Sequence, residues 1–362
     1  KVLNAGSDEY DILEPYIDKA FTLAQEGLLV DFYDVPYVDI TAEWWDQAII
    51  RDLSLCGKMY VMTGDVSVYD EELNYGVYFN KAVAQQYDIP DCYQLARDGG
   101  WTVEKMTEYG HTVTHDINGD GVLGEDDCYG VLTDYGVASV WFFAFGGKMC
   151  SLDSNGKPQL AMGDEKTAGI IDSLSKFLTD KNLTLNASET KGQWKGFDTM
   201  LVGDRALFRP GSIYDVPLYR SMVSDFGILP YPKLDEAQEQ YYHLIATWVC
   251  PGISIPVTCS DLERTGIILE ALAYASKDTV TKAYYDVNLY TKVARDDESG
   301  DMLDIIFGTK RYDLAKTFGW GGLDVVVQTS AKDSGKFASL YAAAESKAQA
   351  QLEESYEFFN IG

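Results

Sequence analysis

The stretch DINGDGVLGEDD puts Asp116, Asn118, Asp120, Val122, Gly124 and Asp127 at loop positions 1, 3, 5, 7, 9 and 12. Oxygen atoms at that spacing wrap a hard divalent cation, and Gly121 at position 6 permits the sharp turn such a loop needs. The expected calcium ligands are Asp116, Asn118, Asp120, Asp127 and the Val122 carbonyl, with a water standing in at Gly124. Position 12 holds Asp where a bidentate Glu is usual. The alternative is a metal-free turn whose Asx side chains bond their own amides. A calcium sensor needs paired loops that reorient helices on binding. This chain has one loop, followed by a strand-like run, so the loop reads as a structural clip.

Other chemistry is less well marked. There is no G-x-S-x-G elbow, no Walker loop and no HExxH, and only three histidines are available as bases. His111 and His115 lie one helical turn apart, where they either clasp a metal or line a solvated helix face. Acidic residues are plentiful, 57 in all, but nothing singles out the carboxylate pair of a glycoside hydrolase. The six cysteines form no CxxC motif. Cys92 with Cys128 and Cys250 with Cys259 are possible bridges; the alternative is six free thiols. A net charge of −28 repels nucleic acid and anionic membrane, which argues against a nucleic-acid partner. Aromatic residues make up 13% of the chain. Trp44 and Trp45 are adjacent, so only one can point fully into a core. Trp141, Trp194, Tyr214, Trp248 and Trp320 stand near strand ends or glycines, where clefts form. Their flat faces suit the C–H faces of sugar rings.

The elements that must position these residues alternate between strand and helix. YGVYFN, YGVLTD, RALFRP and FGILPYP read as strands, and KMYVMTGD and WVCPGISIP as further ones. DEKTAGIIDSLSKFLTDKN is an amphipathic helix with Ala168, Ile171, Leu174, Phe177 and Leu178 on one face. SDLERTGIILEALAYAS opens with Ser260 and Glu263 as a capping box and is expected to turn Ile267, Ile268, Ala271, Leu272 and Ala275 inward. No apolar run approaches the roughly 20 residues of a membrane span. Alternation without a linker implies an α/β architecture of two tightly joined lobes.

The order of these segments resembles the family 1 extracellular solute-binding proteins of ABC importers, the maltodextrin-binding-like group in its Gram-positive form. The likeness runs through DEYDIL, GLLVDFYDVPYVD, EWWDQ, GKMYVMTGD, YGVYFNK, GGWTVEKM and DDCYGV. It continues through GDRALFRPGSIYDVPLYR, DFGILPYPKLDEAQEQYY, GISIP and YYDVNLYTKVARDDESGDMLDII. Family members carry an opening strand, helix and strand before the DEYDIL region, so the first lobe is expected to have an incomplete sheet.

The resemblance implies a type II periplasmic-binding-protein-like fold whose lobes are joined by crossing segments. Residues 1–130 with 253–312 would form lobe 1, and residues 131–252 with 313–362 lobe 2. The crossings are expected near Tyr129–Asp134, Trp248–Ile255 and Lys310–Phe318. Ligand would bind between the lobes and favour hinge closure. Carried over by position, the site residues are Trp45 and Asp65 from lobe 1 and Asp134, Tyr135, Trp141 and Tyr214 from lobe 2, with Trp248 and Trp320 at the crossings. Arg209 is either a ligand donor or a surface salt bridge. Asp296 or Asp297 reads as a helix N-cap. The implied protein is a monomeric, non-enzymatic carbohydrate receptor outside the cell, serving an ABC permease and tethered by a lipid upstream of Lys1. A secreted glycan hydrolase and a calcium-stabilised adhesion module are the other readings.

Overall fold

The computed structural model describes residues 6–285 and 296–361. Nine strands are present among them: β1 (Tyr75–Asn80), β2 (Tyr129–Thr133), β3 (Cys150–Leu152), β4 (Pro158–Leu160), β5 (Thr184–Asn186), β6 (Ala206–Ser212), β7 (Phe226–Leu229), β8 (His243–Leu244) and β9 (Lys310–Arg311). Five of them form one mixed sheet in the order β5-β2-β6-β1-β7. β1 runs antiparallel to β6 and β7, whereas β2 is parallel to β5 and β6. These strands are buried nearly end to end because both sheet faces are covered. Val77, Phe79, Val131, Phe208 and Leu229 enter the larger core, while Tyr78, Tyr129, Leu132 and Ile228 meet Phe197, Met200 and Tyr219 in a second cluster. The helix Val103–Val113 lies so close to β2 that a Cβ on Gly130 would sit 2.3 Å from the Gly110 Cα. Only a glycine pair permits that approach.

A second body is built around residues 251–256. Ile253 exchanges both backbone hydrogen bonds with Met62, and Ser254 does the same with Leu13. The Val30 N–H donates to the Ile255 carbonyl at 2.8 Å. These contacts are isolated bridges, and among the described residues no continuous ladder develops from them. KMYVMTGD and WVCPGISIP therefore contribute bridges here, not full strands. The helices Ile17–Gln25, Gln47–Leu53 and Leu262–Ser276 pack round this centre through Phe21, Ile49, Leu53 and Leu269.

The two bodies are joined where three segments run side by side. The Ala246 N–H donates to the Leu73 carbonyl, Ile245 N–H to Arg311, and His243 N–H to Thr309. The crossings thus lie near residues 73–75, 243–246 and 309–311. The crossing expected at Tyr129–Asp134 is instead β2, inside the sheet. The lobe boundary expected at 130/131 cuts that sheet, since β1 before it pairs with β6 after it. A strand buried on both faces carries no mark of which sheet it joins. The second crossing falls just upstream of Trp248–Ile255, and the third keeps only the start of Lys310–Phe318, the rest forming the helix Leu314–Phe318.

Two further expectations change. The helix Leu262–Ser276 is capped by Asp261, not Ser260, and buries Thr265, Gly266, Leu269, Ala273 and Ser276. Ile267, Ile268 and Leu272 are about half exposed. Gly266 sets this rotation, because a Cβ there would lie 2.0 Å from the Pro36 carbonyl oxygen. All six cysteines are free thiols. Cys92 and Cys250 direct their sulfurs to the carbonyls of Pro90 and Pro251, away from the bridges considered.

Candidate functional site

One edge of the sheet gathers the carboxyl ends of β2 and β6 and the start of β1, with Tyr75 opposite Ser212. Strand ends are where loops diverge and leave a crevice. A cavity of about 720 Å³ opens there. Its sheet-side wall includes Tyr75, Arg209, Asp215, Tyr231, and Trp194 and Asp198 from the helix Gln193–Val202. The lining also includes Trp248, Lys316, and Asp324 and Gln328 from the helix Leu323–Ser330, which is tied to the segment after β2 by bonds to Ser139 and Gly136.

Arg209 organises the sheet-side wall. Its side chain is almost fully enclosed. Nη1 donates to the Pro210 carbonyl at 2.7 Å and to Asp215 Oδ2 at 3.2 Å, and Nη2 donates to Asp198 Oδ1 at 3.1 Å. The guanidinium lies 5.4 Å from the Trp194 ring centroid. Gly211 makes this possible, for a Cβ there would collide with Arg209 Nη1 at 2.0 Å. Burial alone would weaken the guanidinium's hold on its proton, but Tyr219, Asp215 and Asp198 outweigh it and keep Arg209 charged. Burial pushes the Asp215 carboxyl upward, against the pull of Arg209. Arg209 Nε and the Tyr231 hydroxyl are buried without a hydrogen-bond partner. Tyr231 is fixed by edge contacts to Trp141 at 4.6 Å and Tyr75 at 6.3 Å.

Elsewhere in the lining, Lys316 Nζ stands 3.1 Å from Asp324 Oδ2 and 4.3 Å from the Trp248 ring centroid. Gln328 donates to Asp324 Oδ2 at 3.0 Å, and the Ser139 hydroxyl donates to Asp324 Oδ1. Behind Lys316 lies Asp18, raised above the ordinary carboxylate range by burial and held down by Thr247 and Lys316.

Of the eight ligand residues expected from the sequence, Trp248 lines this cavity. Asp134 stands at its rim, where its carboxylate accepts from the Gly136 and Ser188 amides and so fixes the turn. Tyr135 follows it, half-buried beneath Lys332. Tyr214 is exposed next to Asp215. Trp141 is enclosed behind Tyr231, its indole N–H on Thr133. Trp45 is in the core with its indole N–H on Glu270, and Asp65 accepts from the Thr281 hydroxyl away from the cavity. Trp320 is buried against Phe318 and donates to Ser355. Trp45, Trp141 and Trp320 thus present no face to the cleft. Tyr75, Asp198, Tyr231, Lys316, Asp324 and Gln328 were not anticipated; the R-x-G of β6 was the one local signal, since a small residue beside an arginine invites the side chain to fold back.

The acidic loop closes on itself. Asp116 accepts from the Gly119 and Gly121 amides, Asn118 from Asp120, and Asp120 from Val122. Asp127, fully enclosed, accepts from Ile117 and Gly124. Those backbone bonds hold the Asp116 carboxyl below its usual range. Among the described residues no group of three or more His, Cys, Asp or Glu side chains is gathered to hold a metal ion, and the loop's Asp116 and Asp120 carboxylates are turned onto its own amides. His111 pairs with Asp180 and His115 with Tyr87, which makes them surface contacts and not a clasp.

No family model matches the chain, and no curated protein matches it in sequence. Solved structures do resemble it. UgpB from Mycobacterium tuberculosis in complex with glycerophosphocholine has a TM-score of 0.61 at 18% identity, over 96% of this chain and 83% of that one. The maltose/maltodextrin-binding domain MalE from Bdellovibrio bacteriovorus bound to maltotriose gives 0.58 at 13%, over 99% and 86%. The ABC substrate-binding protein Lmo0181 from Listeria monocytogenes in complex with cycloalternan gives 0.58 at 12%, over 99% and 86%. At these identities the likeness shows the fold: two α/β lobes with crossing segments, as in solute-binding proteins.

Proposed function

We propose that this chain is the solute-binding receptor of an ABC importer, taking a carbohydrate, specifically an oligosaccharide, in the cavity and delivering it to a membrane permease. The observation that carries this reading is the cavity itself. Tyr75, Trp194, Tyr231 and Trp248 line it together with fixed charged donors and acceptors, at the sheet edge next to the crossings. Rings take the apolar faces of pyranoses, and charged groups in a site that excludes water make strong bonds to hydroxyls. Closure about residues 73–75, 243–246 and 309–311 would bring the walls onto the sugar. The reading places the protein outside the cell, monomeric and lipid-tethered. Among the described residues no helix is long and apolar enough to cross a membrane.

Calorimetry against neutral oligosaccharides tests it. One sugar class is expected to bind saturably, and Trp248→Ala to weaken that binding by about tenfold to a hundredfold, the loss typical of a central aromatic anchor. A flat response to every sugar would remove the reading. Release of reducing ends from those sugars would make the chain a hydrolase instead.

The calcium clip is a separate proposal resting on the spacing of residues 116–127. Binding would require Asp116, Asn118 and Asp120 to leave their own amides and turn onto the ion. Millimolar calcium is then expected to raise Tm by a few degrees relative to EDTA, through mass action on the folded state. Identical melts in the two buffers would show that the loop is an Asx turn.

A further inference from the structure

The cavity holds two cations, and the way each is held bears on which sugars it can accept. A site that grips a carboxylate or phosphate leaves an arginine fork or a lysine head free to meet it, usually through paired N–H bonds. Here both Nη atoms of Arg209 are occupied, by Asp198 from one element, Asp215 from another, and the Pro210 carbonyl. Three of its five N–H bonds are thereby committed to protein acceptors, and Nε is buried without a partner. Its charge is therefore already met by Asp198 and Asp215, and Nε is left to donate to a ligand hydroxyl. The unpartnered Tyr231 hydroxyl is of the same kind.

Lys316 is held in the same way. Asp324 sits on it at 3.1 Å and is itself pinned by Ser139 and Gln328, so it cannot swing aside without breaking two further hydrogen bonds. The lining therefore carries three carboxylates, Asp198, Asp215 and Asp324, against two cations. Asp18 adds another carboxyl behind Lys316. A ligand anion would have to enter beside acids that already own both cations, and like charges brought together in a partly dry cleft repel strongly. The net charge of −28 over the whole chain opposes its approach as well.

We propose that Asp198, Asp215 and Asp324 act as a charge filter, holding Arg209 and Lys316 so that the cleft selects neutral sugars and rejects uronates and sugar phosphates. This rests on the carbohydrate reading above and adds a direction of selection to it. The filter is a set of specificity residues: removing one carboxylate frees a cation and opens the site to anionic sugars.

Isothermal titration of the full chain with matched neutral and uronate oligosaccharides of the same linkage tests this at two salt concentrations. The neutral member is expected to bind about tenfold or more tightly, and the gap to narrow as salt screens the repulsion. Asp324→Asn and Asp215→Asn are each expected to move the uronate-to-neutral affinity ratio by about tenfold toward the uronate. Thermal melts establish that each variant is folded, and because the two acids hold different cations either one decides the matter alone. A wild-type protein that binds uronate as well as the neutral sugar overturns the filter and leaves the sugar receptor standing. A ratio unmoved in a folded variant also overturns it. Absence of binding by both members across the linkages tried overturns the receptor reading and the filter together.

Discussion

Lys310→Met is expected to destabilise the protein by about 3–5 kcal/mol at neutral pH, the loss that follows when one partner is taken from a buried ion cluster. The lysine ammonium lies 2.7 Å from Asp70, 3.2 Å from Glu71 and 3.3 Å from Asp46. Tyr312 donates to Asp46 at 2.9 Å. The Lys310 side chain is 10% exposed and that of Asp70 is 1% exposed, so water cannot replace the lysine. Even with it present, three carboxyls face one cation. Burial, then Asp70, holds the Glu71 carboxyl well above its usual range, with Lys310 opposing. Burial lowers the lysine's affinity for its proton, but Asp70, Glu71 and Asp46 outweigh that and leave it raised.

The pH dependence follows from those directions. A lysine whose folded pKa is raised stabilises the fold throughout neutral pH, and that contribution is lost only as pH rises through the folded value. A Glu whose folded pKa is raised stabilises below its unfolded value and loses that contribution as pH rises through the folded one. The methionine variant, left with carboxyls alone, should therefore be worst at pH 8 and recover toward pH 5 as Glu71 takes up its proton. Urea midpoints at both pH values measure this. A loss under about 1 kcal/mol at pH 8 would show that water reaches the cluster. Asp70 and Glu71 lie in the turn entering the first crossing and Lys310 in the third, so the damage should extend to closure and ligand affinity.

The contrast between what the chain displays and what it conceals is physical. Amphipathic helices were legible: of the face expected in the helix Glu165–Thr179, Ile171, Leu174, Phe177 and Leu178 are buried and only Ala168 is exposed, because a period of 3.6 residues leaves a mark in any chain. Asp296 as an N-cap was legible too, its carboxylate accepting from the Ser299 amide at 2.7 Å. A strand buried on both faces leaves no such mark, so β1 and β2 announced themselves as strands without disclosing that they share a sheet with β6. Tryptophans mislead for a related reason. Trp45 and Trp141 have the same composition and spacing signals as Trp248, and only the third dimension separates a core ring from a cavity ring. Arg209 was visible as a residue, but its enclosure depends on Asp198 and Asp215 arriving from other elements, and no local pattern encodes that meeting.

Acid is expected to unfold the protein through His243. Its ring is buried in β8, where Nε2 accepts the Tyr231 backbone N–H at 3.1 Å. The proton must then sit on Nδ1, which donates to the Thr309 hydroxyl at 2.7 Å. Charging the ring would place a proton on the nitrogen that is already accepting, in a site without water. Burial accordingly lowers its pKa to about 3, from 6.5. Between those values the unfolded chain binds a proton that the native state refuses. Stability is therefore full above about pH 6.5 and falls by roughly 1.4 kcal/mol for each pH unit below it, until about pH 3. Carboxylates add their own acid sensitivity, so the useful quantity is the difference between wild type and His243→Gln, which keeps a donor and an acceptor but cannot charge. The variant is expected to be less stable at pH 7.5 and to lose less on acidification, so that the two curves converge. Parallel curves would show that His243 does not drive the acid transition. Because the folded protein keeps this ring neutral above about pH 3, its bond to the Tyr231 backbone in the cavity wall is unchanged, and the sugar affinity of the folded wild type should not fall on account of His243 over this range.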